Sequence, residues 1–224
     1  KCNTIRKRYE IRTLPPQQRQ SFFNAVKGLQ AGPQPNKFDD FAELHNEAGN
    51  YAHFSPVFLP WHRAFLYHFE RALQEIDASV MLPYWDWSYD SQAPEASVVL
   101  SDAYFGGNGR ASDQCLANGQ LAAYRPYHLD RGCVKRQFDK DGAINPFYST
   151  EAVQRLITQN DDFGEFRGKL EGIFHARVHI GIGGHMNTMH SAADAIFYMH
   201  HGMVDKIWAT WQRHHPKEAR AYFG

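Results

Sequence analysis

Leu170-Glu171-Gly172-Ile173-Phe174-His175-Ala176-Arg177-Val178-His179-Ile180-Gly181-Ile182-Gly183-Gly184 decides the fold. A helix from Phe163 to Ile182 is expected, stopped by the paired glycines Gly183-Gly184. His175 and His179, four residues apart, then lie one above the other on one face. That spacing lets two imidazoles reach one ion, and a third ligand must come from another element. Ser191, with Asp194 three residues later, resembles a capping box and predicts a further helix to about His214. This helix offers His200 and His201. The face through Phe197, His201, Val204 and Trp208 is apolar, and so is the face through Ile196, His200, Met203 and Ile207. Periodicity does not choose between the two histidines.

The first half repeats the theme. The stretch from Pro15-Pro16 to Gln30 reads as a helix with Phe22, Phe23, Val26 and Leu29 inward. After the loop Gly32-Pro33-Gln34-Pro35, a short helix spans Phe38 to Ala48, closed by Gly49, with Phe41, Leu44 and His45 inward. Pro60 suits the first turn of a long helix to about Asp77. His45 sits in the short helix, His53 in the loop before Ser55-Pro56, and His62 just past Pro60. The loop redirects the chain so that the three converge. Pro83-Tyr84-Trp85-Asp86-Trp87 is an aromatic extended piece, and residues 88–150 form a long irregular excursion before helical character returns at Thr150. The expected fold is mainly α: a four-helix bundle core holding a dinuclear metal site, with long irregular loops, in a single domain over 1–224.

Composition fits this reading. Lysine plus arginine equals aspartate plus glutamate at 24 each, so no net field favours nucleic acid or an anionic membrane. No apolar run approaches a membrane span. Thirteen histidines are an excess that asks for a metal or catalytic explanation. Outside the two convergent sets, His68, His128, His185, His190, His214 and His215 read as ordinary residues, as does whichever of His200 and His201 faces away. Cys115 and Cys133 flank a glycine-bearing, loop-like segment, where a disulfide in an oxidising, secreted setting is expected. Cys2 is left free or paired outside the chain. Lys1-Cys2 opens the chain without a signal-like segment, so any targeting peptide is expected to be already removed or never present.

The donor types select the metal. Neither trio brings a carboxylate, the Glu-x-x-His pairs of di-iron bundles are absent, and no His-Glu-x-x-His occurs. All-imidazole sites suit zinc, copper, nickel or iron. Two three-nitrogen sites roughly 3.5–4 Å apart could clamp a diatomic between them. Two copper ions are the best match.

The residues around the histidines carry a family resemblance. His53-Phe-Ser-Pro-Val-Phe-Leu-Pro-Trp-His62-Arg63 resembles the first copper-site signature of tyrosinases and catechol oxidases. His175-Ala-Arg-Val-His179, Gly183-Gly184-His-Met186, Ser191-Ala-Ala-Asp194 and Met199-His200-His201-Gly-Met-Val-Asp205 resemble the second. The resemblance runs from about residue 5 to 213 and includes the Pro83–Trp87 piece. It implies His45, His53 and His62 on one copper and His175, His179 and His201 on the other, selecting His201 over His200. It also implies Glu171 as the carboxylate that orients a water, Asp205 paired with Arg63, and Ala176, Ile180 and Thr188 around the substrate, with small Thr188 leaving the entrance open.

Three departures from the family pattern stand out. Ala176 falls where many tyrosinases carry Asn, no cysteine lies beside His53 to form a thioether, and Ala195 replaces a proline. The chain also stops soon after Trp211, so the C-terminal shielding domain of some family precursors is expected to be absent. The expected activity is dioxygen-dependent oxidation of o-diphenols to o-quinones, with weak monophenol hydroxylation. Full tyrosinase activity, a haemocyanin-like oxygen carrier and a structural zinc protein are the alternatives.

Overall fold

Pro16 starts the first helix, α1 (Pro16–Leu29), where its missing N–H has no partner to lose. The computed structural model describes residues 6–129 and 131–223, so Cys2 lies outside the described residues. Helix α2 (Lys37–Ala52) is opened by a capping box. Asn36 accepts from the Phe38 and Asp39 N–H groups at 3.1 and 3.0 Å, and Asp39 accepts from Asn36 N–H at 3.0 Å. Helix α3 (Phe58–Ile76) carries Pro60 in its first turn, and α4 spans Thr150–Thr158. Then come α5 (Phe163–Lys169), a π-helical turn (Leu170–His175), α6 (Ala176–Ile182) and α7 (Ile196–His214). Helix α3 packs against α1, α2 and α7, and the π turn packs on α6 and α7. This is the mainly helical bundle with long loops that the apolar periods predict. Among the described residues no helix is long and apolar enough to cross a membrane.

Three details depart from the sequence reading. Gly49 does not close α2, which continues to Ala52. The glycine instead leaves room for Met189, whose Sδ would stand 2.9 Å from a Cβ there. Ser191 does not cap α7 either. It belongs to a 3-10 turn (Met189–Ala193) capped by Thr188, and α7 starts after Ala195 with Asp194 accepting from Ile196 N–H at 3.3 Å. Finally, the segment Phe163–Ile182 is not uniform α-helix, because the π turn interrupts it.

The excursion over residues 88–150 has little regular structure, yet it contributes to the core. Phe105 packs on Phe22 and Phe23 with ring centroids 6.4 and 5.2 Å apart. Leu116, Val134, Phe138, Ile144 and Phe147 are buried with it. Cys115 and Cys133 are disulfide-bonded. Arg136, 1% exposed, forms a two-pronged ion pair with Asp194, 2% exposed, at 2.7 and 2.9 Å. The excursion is thereby tied to the head of α7. Trp85 and Trp87 are fully buried, and Trp85 N–H donates to the Met199 carbonyl at 3.1 Å, which holds the extended aromatic piece against α7.

Candidate metal centre

Two groups of histidine nitrogens converge in the bundle. His45, His53 and His62 form one, and His175, His179, His200 and His201 form the other, the ligating atoms of each lying within 4.8 Å of one another. His45 comes from the middle of α2, His53 from its C-terminal end, and His62 from α3. The chain turns between His53 and His62 through Phe54, whose φ is +52°, and through Ser55-Pro56. The two groups adjoin, with the His62 and His201 rings stacked at 4.3 Å.

Five of these rings are oriented by backbone carbonyls. Their Nδ1–H groups donate to Met189 O from His45 (2.8 Å), Gly49 O from His53 (3.2 Å), Phe58 O from His62 (2.8 Å), and Glu171 O from His175 (3.0 Å). The His179 Nδ1–H donates to Met186 O. Fixing the proton on Nδ1 leaves the Nε2 lone pair for a metal. The Nε2 atoms of His45, His62 and His175 are buried without any hydrogen-bond partner, and those of His179 and His201 face each other at 3.3 Å. Buried acceptors left unpaired and pointed at one another are unfavourable unless a cation stands between them. The residues present therefore fit two transition-metal ions that favour imidazole nitrogen.

The turn after α6 makes one of these bonds. Gly183 and Gly184 have φ of +62° and +57°, and a Cβ at Gly183 would stand 2.0 Å from the Gln137 carbonyl oxygen. Only glycine tolerates both the left-handed backbone and that approach. The chain then doubles back to bring the Met186 carbonyl onto His179.

Burial keeps the imidazoles neutral, as ligands must be. It pushes His45 down to about 3 and His179 to about 4, in each case against the opposing effect of the backbone carbonyl bond. His62, His175, His200 and His201 are also held well below the usual range by burial, with neighbouring histidines adding to the effect. Phe197 lies 4.8 Å from His45 and 4.1 Å from His201, and Phe58 lies 4.7 Å from His62 and 5.0 Å from His175, so apolar rings wall the site.

His200 is fully buried and neither ring nitrogen has a partner. Its ring stacks on His175 at 5.1 Å, so the structure gathers both His200 and His201, the two candidates that periodicity does not separate, into the second set. Glu171, 2% exposed, accepts from Phe54 N–H and from Arg167 at 3.1 Å, and burial raises its pKa. That link from the π turn to the His53 loop has no signature in sequence. Arg63 pairs with Asp205 at 2.5 Å and lies over the Trp208 ring at 3.7 Å, joining α3 to α7. His45, His53, His175 and His179 line one cleft of about 170 Å³ together with Glu171, Ala176, Ile180 and Thr188, while His62, His200 and His201 lie behind it.

This architecture has known counterparts. The chain is 38% identical to a tyrosinase from Streptomyces glaucescens over 95% of this chain and 84% of that protein. It is 29% identical to grixazone synthase from Streptomyces griseus subsp. griseus over 91% of this chain and 83% of that protein. A polyphenol oxidase from Thermothelomyces thermophila superposes with a TM-score of 0.77 at 25% identity, covering 94% of this chain and 71% of that one. A functional unit of octopus hemocyanin shares the fold, with a TM-score of 0.70 at 22% identity over 95% of this chain and 54% of that one. Residues 35–214 match the family model described as the common central domain of tyrosinase. With paired histidine groups that fit a dinuclear copper site, the chain belongs to the tyrosinase family of copper oxidases.

Proposed function

We propose that this chain, read as one domain, oxidises o-diphenols to o-quinones with dioxygen. One copper is held by His45, His53 and His62 and the other by His175, His179 and His201. The observation that carries this reading is the convergence of carbonyl-oriented imidazoles along one cleft, whose lip residues Phe54, Ile180 and Met189 are 80%, 44% and 42% exposed. An open cleft supports turnover over reversible oxygen carriage. Bound copper supplies the dioxygen chemistry and the electron transfer, while the protein supplies geometry and environment.

The chain's own residues then divide the remaining work. Carbonyls of Met189, Gly49, Phe58, Glu171 and Met186 fix the tautomers of five ligands. Phe58 and Phe197 keep water from the metal side. Small Thr188 leaves the entrance wide, and Ile180 gives it an apolar wall. Each Glu171 oxygen accepts one protein hydrogen bond and retains capacity for another, which lets this carboxylate hold a water at the cleft.

Hydroxylating a monophenol needs its proton removed within hydrogen-bond reach or through one water. An amide beside Glu171 would polarise that water, and Ala176 supplies none. Catechol oxidation is less demanding, because a catechol is more acidic. Oxygen uptake by the copper-loaded protein should therefore be much faster with a catechol than with the matching monophenol. Ala176→Asn should raise the monophenol-to-diphenol ratio by about tenfold. Equal rates on both substrates in the unmodified protein would instead favour full tyrosinase activity.

The disulfide Cys115–Cys133 supports secretion or another oxidising location. Thiol titration of the denatured, unreduced protein should find at most one free group, and three would overturn this assignment.

A further inference from the structure

The backbone of Phe54 turns the chain between His53 and His62, but its side chain is left out of the core. Its side chain is 80% exposed and its φ of +52° lies in the left-handed region that non-glycine residues avoid. The backbone is held there by Phe54 N–H donating to buried Glu171, and next to it Ser55 Oγ–H donates to the Tyr51 carbonyl at 2.8 Å. Strained backbone that the surroundings enforce is concentrated at functional sites. Here it stands a large aromatic ring at the lip of the histidine cleft, with Ile180 and Met189, both of them more than 40% exposed.

The charge of the cleft narrows what that lip can meet. Among the described residues no lysine or arginine lines it, and the one carboxylate, Glu171, is 2% exposed and already engaged by Phe54 and Arg167. A carboxylate or zwitterionic tail on a substrate finds no countercharge there. An apolar tail finds an aromatic face and two flexible or branched apolar side chains.

We propose that Phe54, with Ile180 and Met189, is a specificity-determining platform for the ring substituent of the substrate. The chain accordingly selects catechols carrying apolar or aromatic tails over those carrying amino-acid or carboxylate tails. The inference rests on the catechol-oxidation reading and deepens it. With the diphenol ring among the histidines, a cleft of about 170 Å³ leaves a substituent opposite the hydroxyls to emerge at the lip. Contact with an aromatic face then adds to affinity without altering the chemistry at the hydroxyls.

Steady-state kinetics of the copper-loaded protein on catechol, 4-tert-butylcatechol and 3,4-dihydroxyphenylalanine tests this. The KM for 4-tert-butylcatechol should be about fivefold or more below that for the amino acid. Phe54→Gly is the informative variant, because glycine adopts a positive φ without strain, so the chain should unfold at the same temperature or higher. In that variant the KM for 4-tert-butylcatechol should rise about fivefold more than the KM for catechol, with the loss appearing in KM rather than kcat. Equilibrium binding, without dioxygen, of 4-butylresorcinol, a 1,3-diphenol that two-electron oxidation alone does not convert to an o-quinone, should weaken in parallel. Equal KM changes for the two catechols, or no preference for the apolar tail in the unmodified protein, would overturn the platform. Failure to oxidise unsubstituted catechol would sink the underlying reading instead, leaving resorcinol binding to decide the platform by itself.

Discussion

His62→Ala should leave a chain that retains one copper ion instead of two and oxidises catechol only at background. The His62 ring is 3% exposed, its Nδ1–H is committed to Phe58 O at 2.8 Å, and its buried Nε2 has no hydrogen-bond partner. Loss of a mere outer hydrogen bond to a ligand costs 10–100-fold in metal affinity, so loss of the ligand itself should exceed about 100-fold at that site. The proposed turnover would need both ions, since a paired site would supply electron transfer that one ion alone does not. Two comparisons make the expectation specific. His68→Ala, at an exposed position on the same helix, should keep both ions. His201→Ala should lose one, whereas His200→Ala should keep two, since the proposed assignment gives the metal to His201. Copper content by elemental analysis after dialysis reads all four variants. Two ions in His62→Ala, or one in His200→Ala together with two in His201→Ala, would overturn the ligand assignment.

The largest expected effect on stability lies away from the metal. Arg136 and Asp194 are essentially removed from solvent, and the guanidinium also donates to the Gly106 carbonyl at 2.6 Å. Asp194→Ala leaves that cation buried without its counterion, a change that costs about 3–5 kcal/mol. It also removes the acceptor for Ile196 N–H at the head of α7. For a chain of this size that corresponds to a fall of about 10 °C in Tm. Because α7 carries His201, copper retention should weaken along with stability. Thermal unfolding of the metal-free protein isolates the ion-pair effect, and a change below about 1 kcal/mol would show that the pair is not a structural tie.

How much of this was legible in the sequence varies by element. Apolar spacing located α1, α3, the long stretch ending at Gly183-Gly184, and α7, because helix faces repeat every few residues regardless of what packs on them. The four-residue spacing of His175 and His179 paired them for the same local reason. The cysteines flanking the loop-like excursion indicated a bridge, which the structure contains.

What only tertiary structure decided is each feature that depends on a partner distant in the chain. Gly49 reads as a helix stop, yet α2 runs through it, and Met189 fills the space a side chain there would take. The π turn at Leu170–His175 leaves no mark in an apolar period. Faces could not rank His200 against His201, since both sides of α7 are covered and all of Ile196–Val204 is buried. Nor does sequence show that Met189 and Met186 lend carbonyls to His45 and His179, or that Glu171 fixes Phe54 at the lip of the cleft. A side chain's type and spacing determine which face it occupies. The partner waiting on that face is set by long-range packing, and here that packing orients the imidazoles toward one another.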